Sequence, residues 1–287
     1  MHSILLATDL GSNSDRALER ALKLSKESGA CLHILHVLPD DKANSAREEQ
    51  EEDTKRLIKS YTDDYKDSDN SNIAIKTLRG KKPHLEITQY ASDQNVDLIV
   101  MGTHGAPKFR DLFLGTTVER ALVESSVPVL MVKSKPLGSY KNVLCGIDFA
   151  PASKKAFRAA VTIAPAATFN IIYAYQNTIM PPHPLLIENV GTYSLNEEER
   201  EEQIVNFINE ETASYKKRNS EAPPIKLQYQ FLNSDPYRAL IEEAEKKTPD
   251  LICVGAHSEP LSKIGPVTNS LMDDPPCDLL ISGANQF

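Results

Sequence analysis

The residues best suited to chemistry are three glycines and two threonines in the middle of the chain. The apolar run Leu98–Met101 has the length and composition of a buried strand. It is followed by small residues at fixed spacing: Gly102, Gly105, Gly115, Thr116 and Thr117. The residues that come next, 119–122, favour a helix, so Thr116 or Thr117 is a good N-cap. A strand end, a glycine-rich loop and a helix N-terminus together predict an anion site, because backbone N–H groups point at the ligand. The alternative is a surface loop in which the glycines only turn the chain.

The spacing G-x2-G-x9-G-[S/T] resembles the nucleotide-binding loop of the universal stress protein family. Upstream, Arg79-Gly80 with Pro83 is similar to that family's approach to its third helix, and Thr8-Asp9 is similar to the end of its first strand. The resemblance implies a site for ATP or AMP, with magnesium accompanying the triphosphate left open. The nucleotide-binding residues predicted in this way are Thr8, Asp9, Val37, Met101, Gly102, His104, Gly105, Gly115, Thr116 and Thr117.

Individual side chains in this set have alternative roles. Asp9 can accept hydrogen bonds from ribose hydroxyls or adenine, or it can cap a helix. The resemblance implies that Val37 and its backbone line the adenine, whereas core packing is the alternative. His104 is a weak candidate for acid–base chemistry, because a histidine recurs at His257, where the loop is altered. No catalytic residue and no metal ligand set is predicted. Lys108 and Arg110 are loop cations that could screen phosphates or be solvated.

The elements that position these residues alternate between strand and helix. Short apolar runs are separated by stretches with helical spacing, and this order predicts parallel strands joined by right-handed crossovers. Ligands bind beyond the carboxyl ends of such strands, and Asp9, Val37 and Gly102 each lie at a predicted strand end. The fold class predicted is α/β: two tandem, doubly wound, mostly parallel five-stranded sheets with helices on both faces, a Rossmann-like universal stress protein fold.

The pattern occurs twice. LLATDLGSNSDRALERA aligns without gaps on LCGIDFAPASKKAFRAA, which places Asp9 on Asp148, and VDLIVMGTHG aligns on PDLICVGAHS. The second copy carries extra residues, which we expect within 176–200, and residues 133–140 form a polar linker. A repeat of whole-domain length predicts two homologous domains, residues 1–136 and 137–287.

The loop differs in the second copy. Ser258 stands where the first copy has Gly105, and fewer residues separate it from Gly265. Pro266 replaces Thr116, which removes a hydroxyl and a backbone donor. The sequence therefore predicts that the second domain keeps the fold while its phosphate cradle is degenerate.

Composition and charge limit which classes of protein and partner are compatible with this sequence. The chain has 287 residues with 40% hydrophobic and 25% charged residues, which is ordinary globular composition. A net charge of -8 disfavours nucleic acid and anionic membranes as partners. The four cysteines show no C-x-x-C spacing, which favours reduced core thiols. The start lacks a signal peptide pattern, and no run is long enough for a membrane helix, so we expect a cytoplasmic protein.

Two functions follow as expectations. The first is a stress-response protein that binds an adenine nucleotide in its N-terminal domain, with slow or no hydrolysis, and acts as a sensor or scaffold. The second is an interaction protein in which the tandem forms a pseudo-dimer and nucleotide is incidental. A homodimer of the whole chain is left open. An enzyme that activates a substrate with ATP lacks support, because no nucleophile or substrate pocket is evident.

Overall fold

The computed structural model describes residues 1–11, 14–40, 47–65, 72–103, 117–175, 197–220, 224–256 and 264–283. The first half alternates strands and helices as the apolar runs predict. Its elements are β1 Ser3–Ala7, α1 Ser14–Ser28, β2 Cys31–Leu38, α2 Arg47–Asp64, β3 Ile73–Arg79, α3 Pro83–Asp93, β4 Leu98–Gly102, α4 Thr117–Glu124 and β5 Val129–Val132.

The second half repeats this order. Its elements are β6 Asn142–Gly146, α5 Pro151–Ile163, β7 Thr168–Tyr175, α6 Glu197–Arg218, β8 Lys226–Asn233, α7 Pro236–Lys247, β9 Leu251–Gly255, α8 Pro266–Asp273 and β10 Asp278–Ser282. Pro83 and Pro236 open the corresponding helices α3 and α7, where proline fits because the first helical N–H needs no partner inside the helix. Most of the extra segment of the second copy, residues 176–196, lies outside the described residues.

The two predicted sheets join into one sheet of ten strands. The strand order is β3-β2-β1-β4-β5-β10-β9-β6-β7-β8. Pairing is parallel within each half, and the halves meet where β5 pairs antiparallel with β10, with Leu130 opposite Leu280. Each half is thus a doubly wound α/β unit of five strands, as the sequence predicts. Because β10 covers the edge of β5, the halves form a pseudo-dimer inside one chain.

The sheet separates two apolar layers. Alternate residues of each strand face opposite sides, so Ile4 and Leu6 belong to one layer and Leu5 to the other. The first layer lies under α1, α2, α5 and α6, and the second under α3, α4, α7 and α8. Central strands buried on both faces explain why β4 and β9 read as continuous apolar runs.

The halves are also joined by a polar cluster around Asp278, whose side chain is 1% exposed. Its Oδ1 accepts from the backbone N–H groups of Lys133 (2.9 Å) and Ser134 (3.1 Å), and its Oδ2 accepts from the Tyr140 hydroxyl at 2.7 Å. Arg20 Nε lies 3.3 Å from Oδ2 as an ion pair without hydrogen-bond geometry, and its Nη1 donates to the Gly138 carbonyl. Burial and the Asp278 carboxylate raise the pKa of Tyr140 well above its usual value. The linker is therefore held to both halves.

All four cysteines are free thiols, and Cys145, Cys253 and Cys277 are buried, as the sequence predicts. Burial raises the pKa of the Cys277 thiol to about 12. Within the described ranges, no helix combines the length and the apolar character needed to cross a membrane.

Candidate functional site

A cleft of about 390 Å³ opens at the carboxyl ends of β1, β2 and β4. This is the edge at which ligands bind in doubly wound sheets. The first turns of α1, α3 and α4 complete its walls. The lining residues are Ala7, Thr8, Asp9, Gly11, Ser14, Leu35, His36, Val37, Pro83, Ile87, Met101, Gly102, Thr103, Thr117 and Val118.

The structure brings six of the ten predicted binding residues together in this cleft: Thr8, Asp9, Val37, Met101, Gly102 and Thr117. The other four, His104, Gly105, Gly115 and Thr116, lie outside the described residues, as do Lys108 and Arg110. Within the described residues, α4 begins at Thr117. Sequence reasoning missed Ser14, His36 and Thr103 as lining residues. The last two directly neighbour predicted residues at strand ends, and that position was the available signal.

Asp9 is held in place by short contacts. Its Oδ1 accepts from the Ser14 hydroxyl at 2.5 Å and from the Gly11 backbone N–H at 2.9 Å. The turn places Leu10 at φ 61°, and Phe149 repeats this conformation at φ 62° beside Asp148 in the second half. Partial burial acts to raise the pKa of Asp9, but the hydrogen bonds from Ser14 and Gly11 outweigh it, and the pKa is lowered.

The two interpretations of Asp9 are therefore compatible. Oδ1 orders the turn into α1, which is the capping role. Among the described residues, no other residue donates a hydrogen bond to Oδ2, and a lowered pKa keeps the carboxylate ionised at neutral pH. A charged acceptor at the wall of the cleft suits hydroxyl or amine donors of a ligand and repels phosphate.

The backbone of Val37 faces the cleft because the pairing between β1 and β2 stops before it reaches this residue. β1 and β2 pair up to Ala7 opposite Leu35, and the Thr8 N–H still donates to the Leu35 carbonyl at 3.0 Å. A longer ladder would next join the Val37 N–H to the Thr8 carbonyl. Instead, His36 Nδ1 lies 2.8 Å from that carbonyl. Because a carbonyl only accepts, Nδ1 carries the proton and donates.

In a parallel strand, alternate residues direct their N–H and C=O groups to the same neighbour. Leu35 bonds toward β1, whereas Leu38 accepts from Gly80 on the β3 side. The N–H and C=O of Val37 therefore point toward the end of β1, and no group in the described ranges pairs with either. The cleft thus contains one backbone donor and one backbone acceptor side by side.

Gly255, the counterpart of Gly102, is a glycine for a packing reason. A Cβ there would lie 2.5 Å from the Ser153 backbone nitrogen and 2.8 Å from the Ala152 carbonyl carbon. The end of β9 therefore touches the start of α5 too closely for a side chain. The glycine persists in the half whose loop is altered, so a glycine at this position is not by itself evidence of a ligand.

We expect Gly255→Ala to lower the free energy of unfolding by about 1–3 kcal/mol, because backbone atoms must shift to admit the methyl group. Gly138→Ala is the control, since a Cβ there would meet nothing within 4 Å. It should change stability by less than about 0.5 kcal/mol. Urea unfolding monitored by circular dichroism measures both. Equal stability of the two variants would contradict the packing explanation.

The predicted damage to the second loop can be followed as far as the described residues go. Ser258 and His257 lie outside them, but α8 begins at Pro266, so the first helical residue there has neither a hydroxyl nor a backbone N–H. In the described part of the chain, no group of three or more His, Cys, Asp or Glu residues is placed to hold a metal ion.

Comparison with known proteins identifies the family. The model of the universal stress protein family matches twice, over residues 1–133 and 139–282. The chain belongs to this family. It is thus a universal stress protein with two tandem units, and the coarse function that comes with the family is a role in the stress response. The domain boundary at 136/137 stays a prediction.

Relatives and solved structures agree. The chain is 30% identical over 141 residues to a universal stress protein of Thermus aquaticus, which covers 46% of this chain and 98% of the relative. It is 43% identical over 53 residues to one of Methanocaldococcus jannaschii, which is 18% of this chain and about a third (33%) of that relative. A crystal structure of a universal stress protein from Archaeoglobus fulgidus superimposes with a TM-score of 0.70 at 17% identity, covering 99% of this chain and 98% of that one. This last likeness supports the fold over both halves.

Proposed function

We propose that the cleft of the first half binds an adenine nucleotide, ATP or AMP, and that this universal stress protein acts as a nucleotide-dependent sensor or scaffold. The observation that carries the proposal is the exposed N–H and C=O pair of Val37 at the wall of the cleft. Adenine presents an acceptor, N1, beside a donor, the N6 amino group, so it can pair with both. Guanine presents the opposite order on that edge, so it cannot make both bonds in the same orientation of the base.

The remaining groups of the cleft fit the rest of a nucleotide. Asp9 offers its ionised Oδ2 to the ribose hydroxyls, and Thr8 lies next to it. Because Asp9 repels phosphate, the phosphates point away from it, toward the start of α4 at Thr117. The loop sequence with Gly105 and Gly115 joins β4 to that helix, and a helix N-terminus attracts anions.

Hydrolysis is slow or absent under this proposal. Among the described lining residues, Asp9 is the one carboxylate, and its Oδ1 already accepts two hydrogen bonds. A general base that activates the attacking water must lie within hydrogen-bond distance of that water and must be able to accept a proton from it. A low pKa makes Asp9 a poor base. Magnesium with the triphosphate and a cytoplasmic location stay predictions from the sequence.

We expect calorimetric titration with ATP and with AMP to give about one nucleotide per chain, since the second half has lost the threonine hydroxyl and a loop donor at Pro266. Asp9→Asn should weaken binding roughly tenfold, because the amide keeps one acceptor for Ser14 and Gly11 but loses the charge that strengthens bonds to ribose.

Asp148→Asn is the matched control. Asp148 accepts from Ser153 at 2.6 Å and from the Ala150 N–H at 3.0 Å, as Asp9 does from its own partners. Its substitution should leave nucleotide affinity unchanged. Two equivalent sites, or an equal effect of both substitutions, would overturn the assignment to the first half. No binding of either nucleotide would favour the alternative, a pseudo-dimeric interaction protein, which the fused ten-stranded sheet supports.

A further inference from the structure

The second half has a cleft of its own, at the carboxyl ends of β6, β7 and β9. Its volume is about 260 Å³, against about 390 Å³ for the first cleft. The lining residues are Gly146, Ile147, Asp148, Ser153, Ile172, Ala174, Pro236, Leu240, Val254, Gly255, Gly265, Pro266, Val267 and Thr268. The cleft occupies the same place relative to its strands as the first cleft, so the two linings can be compared position by position.

The backbone pair at the wall of the first cleft recurs in the second. Strand register places Ala174 where the first cleft has Val37, beyond the last pair of β6 with β7, which is Gly146 opposite Ile172. The Ile147 N–H still donates to the Ile172 carbonyl at 3.0 Å, so Ile172 bonds toward β6. By alternation, the N–H and C=O of Ala174 point past the end of β6, and no group in the described ranges pairs with either. A donor and an acceptor thus stand side by side here as well.

The apolar walls beside this backbone pair are also kept. Counted from the proline that opens each helix, Leu240 of α7 takes the place of Ile87 of α3. At the strand end, Val254 takes the place of Met101. A Cβ on Gly146 would lie 3.1 Å from a methyl carbon of Leu240 and 3.2 Å from one of Val254, so these two side chains close the floor of the cleft. The end of the cleft nearest Ala174 therefore suits a flat, largely apolar ring that carries a donor beside an acceptor.

The opposite end of the cleft, between β9 and α8, has lost its hydroxyl groups. Ala256 stands in place of Thr103, and the N–H of each donates to the end of the neighbouring strand. Val267 stands in place of Thr117. The remaining hydroxyl, that of Thr268, donates to the last carbonyl of β9 at 2.9 Å and is not available to a ligand.

Backbone donors are lost at the same end. Pro266 opens α8 and has no N–H, where the first copy has Thr116. The loop that leads to α8 is shorter than its counterpart, and it carries Ser258 in place of Gly105. A helix N-terminus holds phosphate through such N–H groups and through the close approach that glycine permits. The differences between the two clefts are therefore concentrated where a phosphate would lie, and the end that fits a base is preserved.

Building on the nucleotide site proposed for the first half, we propose that the second cleft binds an uncharged purine nucleoside with the hydrogen-bonding edge of adenine, namely adenosine. Adenine N1 accepts from the Ala174 N–H, and the N6 amino group donates to its C=O. The ring packs on Leu240 and Val254, and the ribose lies toward the turn into α5 at Ser153. One chain then responds separately to a nucleotide and to the nucleoside that remains when its phosphates are removed.

The test is a calorimetric titration of adenosine into the full chain that has first been saturated with ATP, so that the first cleft is filled. We expect about one adenosine per chain, with an affinity that does not fall as the ATP concentration is raised further. Inosine has the same shape but carries N1–H and a carbonyl on this edge. It should bind roughly tenfold more weakly or worse, because both of its groups then face like partners.

Ala174→Pro removes the N–H on which the base depends, and it should weaken adenosine binding roughly 10- to 100-fold. Val37→Pro is the matched change in the first half and should leave adenosine binding to the second cleft unchanged. Circular dichroism checks that both variants fold. The comparison of adenosine with inosine uses the wild-type protein, so it tests the site even where the proline variant folds poorly.

The outcomes separate this proposal from the one for the first half. Loss of adenosine binding once ATP is present, or a steady fall in its affinity as ATP is raised, would overturn the second site and leave the first intact. Equal binding of inosine, or a folded Ala174→Pro protein with wild-type affinity for adenosine, would also overturn it. Adenosine binding that depends on Ala174 in a protein that does not bind ATP would support the second site and remove the nucleotide site.

Discussion

Replacing Asp278 by alanine should lower the free energy of unfolding by about 3–5 kcal/mol, the largest stability effect that we expect of any single substitution in this chain. The carboxylate is buried, accepts from two linker N–H groups and from Tyr140, and pairs with Arg20. Removing it leaves the guanidinium, whose side chain is 6% exposed, without its counter-charge and leaves three donors unpaired. Urea unfolding of the whole chain measures the loss.

Asp274→Ala is the control for this substitution. Asp274 lies a few residues earlier and contacts Lys133 Nζ at 3.5 Å, but its side chain is 82% exposed. A surface pair of this kind contributes about 0–1 kcal/mol. A loss for Asp278→Ala no larger than that for Asp274→Ala would mean that the cluster does not hold the halves together. Tyr140→Phe should fall between the two, because it removes one hydrogen bond and no charge.

The fold could be read from the sequence because each element carries its own local signal. β4 and β9 are continuous apolar runs, and α1 shows helical spacing from Ala17 to Leu24. Because the sequence repeats, the same strand and helix patterns occur in both halves. The joining of the two sheets could not be read in this way. In the structure, β5 and β10 are buried on both faces and pair with each other. Their short apolar sequences do not specify that each is the partner of the other.

The sequence predicted the site residues whose role depends on their position at a strand end. It did not predict those whose role depends on the register between strands. Asp9, Val37 and Gly102 follow from the rule that ligands lie at strand ends, and the structure brings all three to one cleft. The role of His36 follows from the exact residue at which β1 stops, because its ring takes the carbonyl that would otherwise pair with Val37. A shift of one residue would reverse which backbone groups face the cleft, and composition does not encode that shift.

The same register gives the sharpest test of the nucleotide site. Val37→Pro should lower the affinity for ATP roughly 10- to 100-fold, the effect of losing one buried hydrogen bond and leaving the adenine acceptor unpaired. Proline lacks the N–H, and because this N–H points past the end of β1, its removal breaks no bond of the described sheet. The same change at His36 would remove an N–H on the β3 side and damage the sheet itself.

Ala174→Pro is the matched control, because the pairing of β6 with β7 ends at Ile172 and leaves Ala174 in the corresponding position. It should perturb the second half as much as Val37→Pro perturbs the first, while ATP affinity stays at the wild-type value. Circular dichroism and calorimetric titration with ATP and GTP complete the experiment. Wild-type protein should prefer ATP, and Val37→Pro should lose most of that preference. A folded Val37→Pro protein that binds ATP as tightly as the wild type would place adenine away from β2, and the loop after β4 would then hold the phosphates without the backbone pair of Val37 selecting the base.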